Sequence, residues 1–387
     1  MRYLAVVLPM LLAACSSHTP APSAADPATQ PPVSGGFLLQ PEHTGPLQQG
    51  DFAFNKETDR FVARMVQEHG FDRQQLHDVL IQAKKLDWVI RLMDQQAPVS
   101  AGGPPTPNGA WVRYRSKFIT PDNVQNGVMF WNQYSDALQR AWQTYGVPPE
   151  IIVGIIGVET RWGRVMGKTR IIDALATLAF AYSRRADYFA GELETFLLMA
   201  RKEGDDPLSL KGSYAGAMGY GQFMPSSFKQ YAVDFNGDGH INLWDPVDAI
   251  GSVANYFKAH GWTAGAEVAI PTQGQVPNTW DSGFKMRYPV ATLTAAGLRT
   301  AQPLIGYTEV SLLRLDMGNQ FQYWFDLPNF YTITSYNHSV HYAMAVWQLG
   351  LACRPVGRNP AFAGNNLTQG RCRYCGSTPD TSRICPS

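Results

Sequence analysis

The chain has 387 residues, 45% of them apolar and 16% charged, with 32 basic side chains against 31 acidic ones. That length supplies more than one core's worth of residues, so two or three domains are expected. The near-zero net charge and the lack of any basic block exclude a phosphate-neutralising surface, and no nucleic-acid partner is expected. Aromatic residues reach 12% and include ten Trp, whose flat faces suit core packing and sugar rings alike.

Arg2 gives a short positive start, residues 4–12 are apolar, and Leu12-Ala13-Ala14-Cys15 follows. The apolar run is too short to stay in a bilayer, which predicts a signal peptide over residues 1–15. Small residues before a Cys resemble a bacterial lipobox, in which Cys15 becomes the lipidated first residue of the mature chain. Ser16 and Ser17 in place of Asp then favour the outer membrane, with the chain facing the periplasm. An ordinary cleaved signal with a chance Cys is the competing reading. Residues 16–50 are rich in Pro, Ala, Ser, Thr and Gln. Such a segment cannot repay its ordering entropy and is read as a tether.

A helical domain is expected over 51–100. Phe61, Met65 and Val66, then Leu76, Val79, Leu80 and Ala83, then Val89, Ile90 and Met93 recur at helical spacing, with Gly70 as a break. Three Pro and three Gly interrupt the chain at 101–109. One long amphipathic helix is expected over 121–144, closed by Gly146. Pro148 and Pro149 suit the next helix start, and residues 151–158 are apolar nearly all round, which predicts burial. Further helices are read at 171–182, 185–202, 225–232 and 246–260, completing a helical core over 110–261. Across 262–335, short alternating segments at 267–270 and 309–315 predict a small β-containing domain. A closing helix at 336–350 ends the ordered fold. The fold class is mainly α, of α+β type.

At the end of the apolar helix stands Glu159, followed by Thr160, Arg161, Trp162 and Gly163. Desolvation there disfavours the charged carboxylate and raises its pKa, as a general acid for a glycosidic oxygen requires. A structural ion pair with Arg161 or Arg164 accounts for the same residues. A second Gly-rich segment spans 216–225 and enters a helix at Pro225. It lets backbone approach a ligand and presents Gln222 as donor and acceptor, or it is a plain tight turn.

Residues 234–242 fit an EF-hand loop. Asp234, Asn236, Asp238 and Asn242 fall at positions 1, 3, 5 and 9, Gly239 at 6 and Ile241 at 8, while His240 offers its backbone carbonyl. A structural calcium ion within 234–248 is therefore expected, against the alternative of a polar turn. Position 12 holds Asp245 where Glu is usual, and Pro246 behind it gives the pattern of a helix cap. Asp248, in the first turn, is the rival closing ligand. Cys353, Cys372, Cys375 and Cys385 lie in a polar tail at 351–387. An oxidising compartment favours two disulfides among them, and the Cys372-x-x-Cys375 spacing also suits zinc.

The sequence 157–164 (Gly-Val-Glu-Thr-Arg-Trp-Gly-Arg) together with 219–227 (Gly-Tyr-Gly-Gln-Phe-Met-Pro-Ser-Ser) resembles the membrane-bound lytic murein transglycosylase B family. The match is strong over 110–262 and looser to Gln348. The resemblance implies a goose-lysozyme-like core with a helical and a β domain packed around it. It implies cleavage of peptidoglycan glycan strands between N-acetylmuramic acid and N-acetylglucosamine, leaving a 1,6-anhydro ring, with Glu159 as acid and then base. It places Tyr114, Ser213, Gln222, Phe223, Tyr256, Tyr336, Asn337 and Tyr342 along a substrate groove, and Arg184 and Arg185 where they meet acidic peptide or lactyl groups. For each tyrosine core packing is an equal alternative, and for Asn337 a helix cap. Asp248 takes the place of the family's closing calcium ligand. Outer-membrane lipid through Cys15 and cell-wall synthases are the partners implied. A hydrolytic muramidase and a non-catalytic glycan-binding scaffold are the rival functions.

Overall fold

The computed structural model describes residues 45–95 and 106–355. The signal peptide with Cys15, most of the tether, and Cys372, Cys375 and Cys385 lie outside the described residues. Three helices come first: α1 (Lys56–His69), α2 (Arg73–Gln82) and α3 (Asp87–Gln95). Asn55 caps α1 through the N–H groups of Glu57 and Thr58, and Gly70 ends it in the left-handed region at φ 60°, the break read from the sequence. The tether reading ran to residue 50, but Leu47 is buried in the core and its N–H donates to Asp59. One apolar side chain in a polar stretch was enough to dock it.

α4 (Ala110–Arg115) follows, then α5 (Pro121–Gln133) and α6 (Ser135–Tyr145). The single helix expected over 121–144 is two, because Tyr134 leaves helical geometry at φ −111° and ψ 27°. The break lets α5 bury Phe130 and Trp131 while α6 turns Ala137, Leu138 and Ala141 inward. α7 (Pro149–Thr160) is buried along nearly its whole length. Next are β1 (Thr169–Arg170), α8 (Ile171–Ala181), a 3-10 turn at Ser183–Arg185, α9 (Ala186–Glu203) and β2 (Lys211–Gly212), which pairs antiparallel with β1. On α8, Asp173 accepts the Lys84 N–H and Thr177 accepts that of Leu86. The apolar faces of α1 to α3 thus join one continuous core that runs from Leu47 to Cys353.

α10 (Pro225–Tyr231) and α11 (Pro246–Ala259) lead to the sheet. Its strands are β3 (Ala269–Gln273), β4 (Arg287–Pro289), β5 (Arg299–Thr300), β6 (Glu309–Asp316) and β7 (Phe321–Asp326), with α12 (Val290–Ala295) between β4 and β5. They lie in the order β4-β6-β7-β3-β5, every pair antiparallel. Leu312 and Phe325 face a small second core with Leu293 and Leu298, while Leu313 and Trp324 join the main one. The alternation expected over 309–315 is only partial, because β6 is covered on both faces and Leu312 and Leu313 are both buried. The β reading extended to 335, but 328–336 is helical as α13 (Pro328–Tyr336), with Pro328 at its first position. α14 (Val340–Ala352) closes the fold. The whole is mainly helical with one small sheet.

α14 crosses α7 at close range. A Cβ on Gly154 would come within 2.2 Å of the Val346 carbonyl oxygen, and one on Gly350 within 1.8 Å of that of Glu150. Glycine at these two positions is what lets the helix backbones meet. Cys353 lies wholly buried just beyond α14, with no disulfide partner among the described residues and its thiol near Gly127.

Candidate active site

The α7–α14 crossing sets Tyr342 against Glu159. The Tyr342 hydroxyl donates to Glu159 Oε1 at 2.5 Å. Burial among apolar neighbours lifts the Glu159 pKa from 4.5 to about 7, and the Tyr342 hydrogen bond opposes that rise without cancelling it. No arginine acts on the carboxyl, so the ion pair with Arg161 or Arg164 is not formed. Burial, followed by the Glu159 charge, raises the pKa of the Tyr114, Tyr336 and Tyr342 hydroxyls well above the ordinary tyrosine range. Three tyrosines from α4, α13 and α14 therefore surround one carboxyl.

The two sequence motifs meet through a residue that the sequence reading assigned no role. Thr160 Oγ1 donates to the Ile156 and Tyr220 carbonyls and accepts the Gly163 N–H. Beyond it, Arg161 and Trp162 turn left-handed at φ 50° and 55°, and Gln222 in the facing turn does so at 53°. Such backbone in non-glycine residues persists only where its surroundings fix it, and it clusters at functional sites. Trp162 is fixed by its indole N–H to the Val153 carbonyl, and the Gln222 amide by the Gly219 carbonyl. A threonine directly after the acid was the available signal for this joint.

Of the other residues expected to line a groove, the structure brings Phe223, Tyr256 and Tyr336 together beside the Gly-rich segment. The Tyr336 hydroxyl donates to the Gly221 carbonyl at 2.5 Å and that of Tyr256 to Ser335 at 2.7 Å. The Phe223 ring lies 5.8 Å from Tyr256 and 6.0 Å from Tyr336. Ser213 Oγ accepts the Ala215 and Ala217 N–H groups, bracing the Gly-rich segment. Asn337 is buried and does not cap α14; Ser339 does, accepting the Tyr342 N–H. Tyr114 differs from its neighbours, because its hydroxyl is buried without a hydrogen-bond partner.

Arg184 and Arg185 stand apart from this cluster. They line a cavity of about 680 Å³ with Glu57, Arg60 and Tyr182, and none of the other groove residues reaches it. Arg184 lies 3.7 Å from Asp94, and the Arg185 guanidinium stacks 4.2 Å over Tyr188.

The 234–248 segment wraps around Asp234, whose carboxylate accepts the N–H groups of Gly237, Asp238 and Gly239. These bonds, the one from Gly239 foremost, hold its pKa below the usual range. Asp248 accepts the Phe235, Asn236 and Asn242 N–H groups and ties both ends of the loop to α11. Asp245 caps α11 through Val247 and Asp248. Among the described residues no three Asp, Glu, His or Cys side chains converge, so any cation here would rely on Asn236 and backbone oxygen as well as Asp234, Asp238 and Asp248.

The model of the transglycosylase SLT domain family matches residues 53–351. The chain is 69% identical over 353 residues to the membrane-bound lytic murein transglycosylase B of Escherichia coli strain K12, covering 91% of this chain and 97% of the relative. Among solved structures it matches the Escherichia coli lytic transglycosylase SLT35 in complex with bulgecin A, at 70% identity and a TM-score of 0.77, over 82% of this chain and 98% of that one. The same lytic transglycosylase solved in complex with calcium matches at 69% identity with the same TM-score of 0.77 and the same coverage, 82% and 98%. A run of 299 matched residues and identity near 70% across nearly the full relative leave one assignment: the chain belongs to the transglycosylase SLT family, as an enzyme of the lytic murein transglycosylase B kind.

Proposed function

We propose that the chain cleaves the β-1,4 bond between N-acetylmuramic acid and N-acetylglucosamine in peptidoglycan strands without consuming water, leaving a 1,6-anhydromuramyl end. The observation that carries this reading is Glu159, one carboxyl with a pKa of about 7 enclosed by tyrosines and with no second carboxylate acting on it. Near neutral pH such a group is protonated often enough to give a proton and basic enough to take one back. Glu159 first donates its proton to the glycosidic oxygen as the bond to the anomeric carbon breaks. The carboxylate so formed then accepts the proton of the muramyl C6 hydroxyl, whose oxygen closes on that anomeric carbon. The substrate's own N-acetyl carbonyl steadies the positive charge between the two steps.

An ordinary glycosidase divides these tasks between two carboxyls about 5–9.5 Å apart. Among the described residues no second carboxylate shifts the Glu159 pKa, which favours internal ring closure over a hydrolytic muramidase, and an intact acid disfavours a passive glycan scaffold. Tyr114, Ser213, Gln222, Phe223, Tyr256, Tyr336 and Asn337 form the groove in this reading, with Tyr342 orienting the acid. Tyr114 offers its unpartnered hydroxyl to a sugar oxygen. Arg184 and Arg185 serve the acidic peptide stem at a distance from the bond broken.

The donors at 234–248 fit a hard cation, all being oxygens on a loop already closed by its own N–H groups. Asp234, Asn236, Asp238, the His240 carbonyl and Asp248 hold calcium in this reading, supported by the related enzyme solved in complex with that ion. The ion braces α10 against α11 and takes no part in bond cleavage. Lipidation at Cys15 anchors the chain to the periplasmic face of the outer membrane, a reading the relative's membrane-bound name supports. Among the described residues no helix is long and apolar enough to cross a bilayer.

Digestion of purified sacculi followed by mass spectrometry of the fragments tests the reaction. Ends one water lighter than reducing muramic acid, and resistant to borohydride, are expected from the wild type and not from Glu159→Gln. Reducing ends from the wild type would refute ring closure.

A further inference from the structure

α4 has only six residues, too few to stay helical unaided, yet it delivers Tyr114 to the acid. No side chain of its own caps it; Gly109, at φ 79°, begins it in the left-handed region. The cap comes from the end of β6, more than two hundred residues away. Asp316 Oδ2 accepts the N–H of Asn108 at 2.8 Å and of Ala110 at 3.2 Å, while Oδ1 accepts that of Gly109 at 2.8 Å. Oδ1 also takes the Gly318 N–H at 2.9 Å and closes the β6–β7 turn. Burial acts to raise the pKa of this carboxyl, but the N–H groups of Asn108, Gly109, Gly318 and Ala110 outweigh it and hold it at about 2. It is therefore charged throughout the working range, where bonds to a charged acceptor are the strong ones.

Arg113 reaches back to the Asn108 carbonyl and side chain, but the backbone N–H groups at the start of α4 are held by Asp316, and its other contacts fix its axis. Trp111 is buried, and its ring and that of Tyr114 each lie 5.5 Å from His341 of α14. Arg115 Nε donates to Gln348 at 2.8 Å. Among the described residues nothing grips Tyr114 at its tip, since its buried hydroxyl has no hydrogen-bond partner there. The ring's position is inherited from the backbone that carries it.

We infer that Asp316 is a positioning residue for the reaction: by capping α4 from the sheet, it sets where Tyr114 stands against Glu159 and the sugar bound there. The inference rests on the reading of Glu159 and its groove given above. It makes the β6–β7 hairpin part of the active site's support, which neither motif of the helical core discloses.

A double-mutant cycle tests it, with muropeptide release from sacculi and urea unfolding measured on each variant. Asp316→Asn is expected to lower kcat about 10- to 100-fold with a change in KM below about threefold, the scale of a catalytic group displaced by about 1 Å. In a Tyr114→Ala background the same substitution should lower kcat by less than about twofold, while the unfolding midpoint falls alike in both backgrounds. An equal loss of kcat in both backgrounds, or none in the first, overturns the inference. Should Asp316→Asn fail to fold, Gly109→Ala enters the same cycle, because it strains the backbone that the carboxylate holds. Glu159→Gln measured beside them separates the two failures: retained activity there would remove the acid, whatever the cycle shows.

Discussion

Replacing Glu159 by Gln should stabilise the protein while abolishing its activity, and the gain should depend on pH. The unfolded chain releases this carboxyl proton near 4.5 and the folded chain only near 7. Between those values the folded state binds more protons, so folding stability falls as pH rises and reaches its floor above about 7. At 1.36 kcal/mol per pKa unit the gap amounts to about 3 kcal/mol, an upper figure because Glu159 keeps some contact with solvent. Gln is neutral at every pH and still offers Oε1 to the Tyr342 hydroxyl, so it retains the contact and sheds the cost. Urea unfolding of both proteins at about pH 4 and about pH 8 checks this. Near-equal stability is expected in acid, and a gain of about 2–3 kcal/mol for the variant in base. Turnover should fall by about 10³-fold or more at either pH. An equal gain at both pH values, or a loss in base, would refute the view that Glu159 is held protonated by desolvation.

In the proposed reaction the same carboxyl begins each cycle protonated, so kcat/KM for sacculus digestion should fall about tenfold per pH unit above about 7; a flat alkaline limb counts against Glu159 as the acid. Calcium at about a hundred times its dissociation constant should add about 2.7 kcal/mol to unfolding, read as a calcium-dependent urea midpoint. Asp238→Ala should erase that increment, and an unchanged increment would move the ion elsewhere. Gly154→Ala drives a methyl into the Val346 carbonyl and should cost about 1–3 kcal/mol. It should also lower kcat, by prising Tyr342 from Glu159; a stable variant with full activity would show that the helix crossing does not set the site.

What could be read from the sequence follows the range of the forces involved. The buried run before Glu159 and the left-handed stop at Gly70 are local patterns, and each appears in the expected element. Tyr134 breaks a helix without Gly or Pro, because α5 and α6 bury different faces, and no local signal records that choice. α4 was not read at all, since its six residues are helical only through Asp316, Trp111 and Gln348. The 328–336 stretch carries β-branched and aromatic residues suited to a strand, and tertiary packing makes it helical instead. The groove residues came from family resemblance, and the structure divides them: Tyr342 and Tyr336 stand at the acid, while Arg184 and Arg185 line a separate cavity.

The groups around Glu159 come from α4, α7, α13 and α14, spread over more than two hundred residues of chain. None of these helices raises the pKa alone. α7 supplies the acid and Gly154, α14 supplies Gly350 and the Tyr342 hydroxyl at the close crossing these glycines permit, and α4 and α13 cover the carboxyl on other sides. Partial assembly would leave Glu159 wet, its pKa near 4.5 and its proton lost at neutral pH. In the proposed mechanism the acid therefore becomes competent only when the fold is complete, and the energy that keeps Glu159 protonated is drawn from the same close crossing of α7 and α14 that holds the core. Anything that loosens that crossing, even far from the groove, must lower the Glu159 pKa towards its ordinary value and shift the alkaline limit of activity to lower pH.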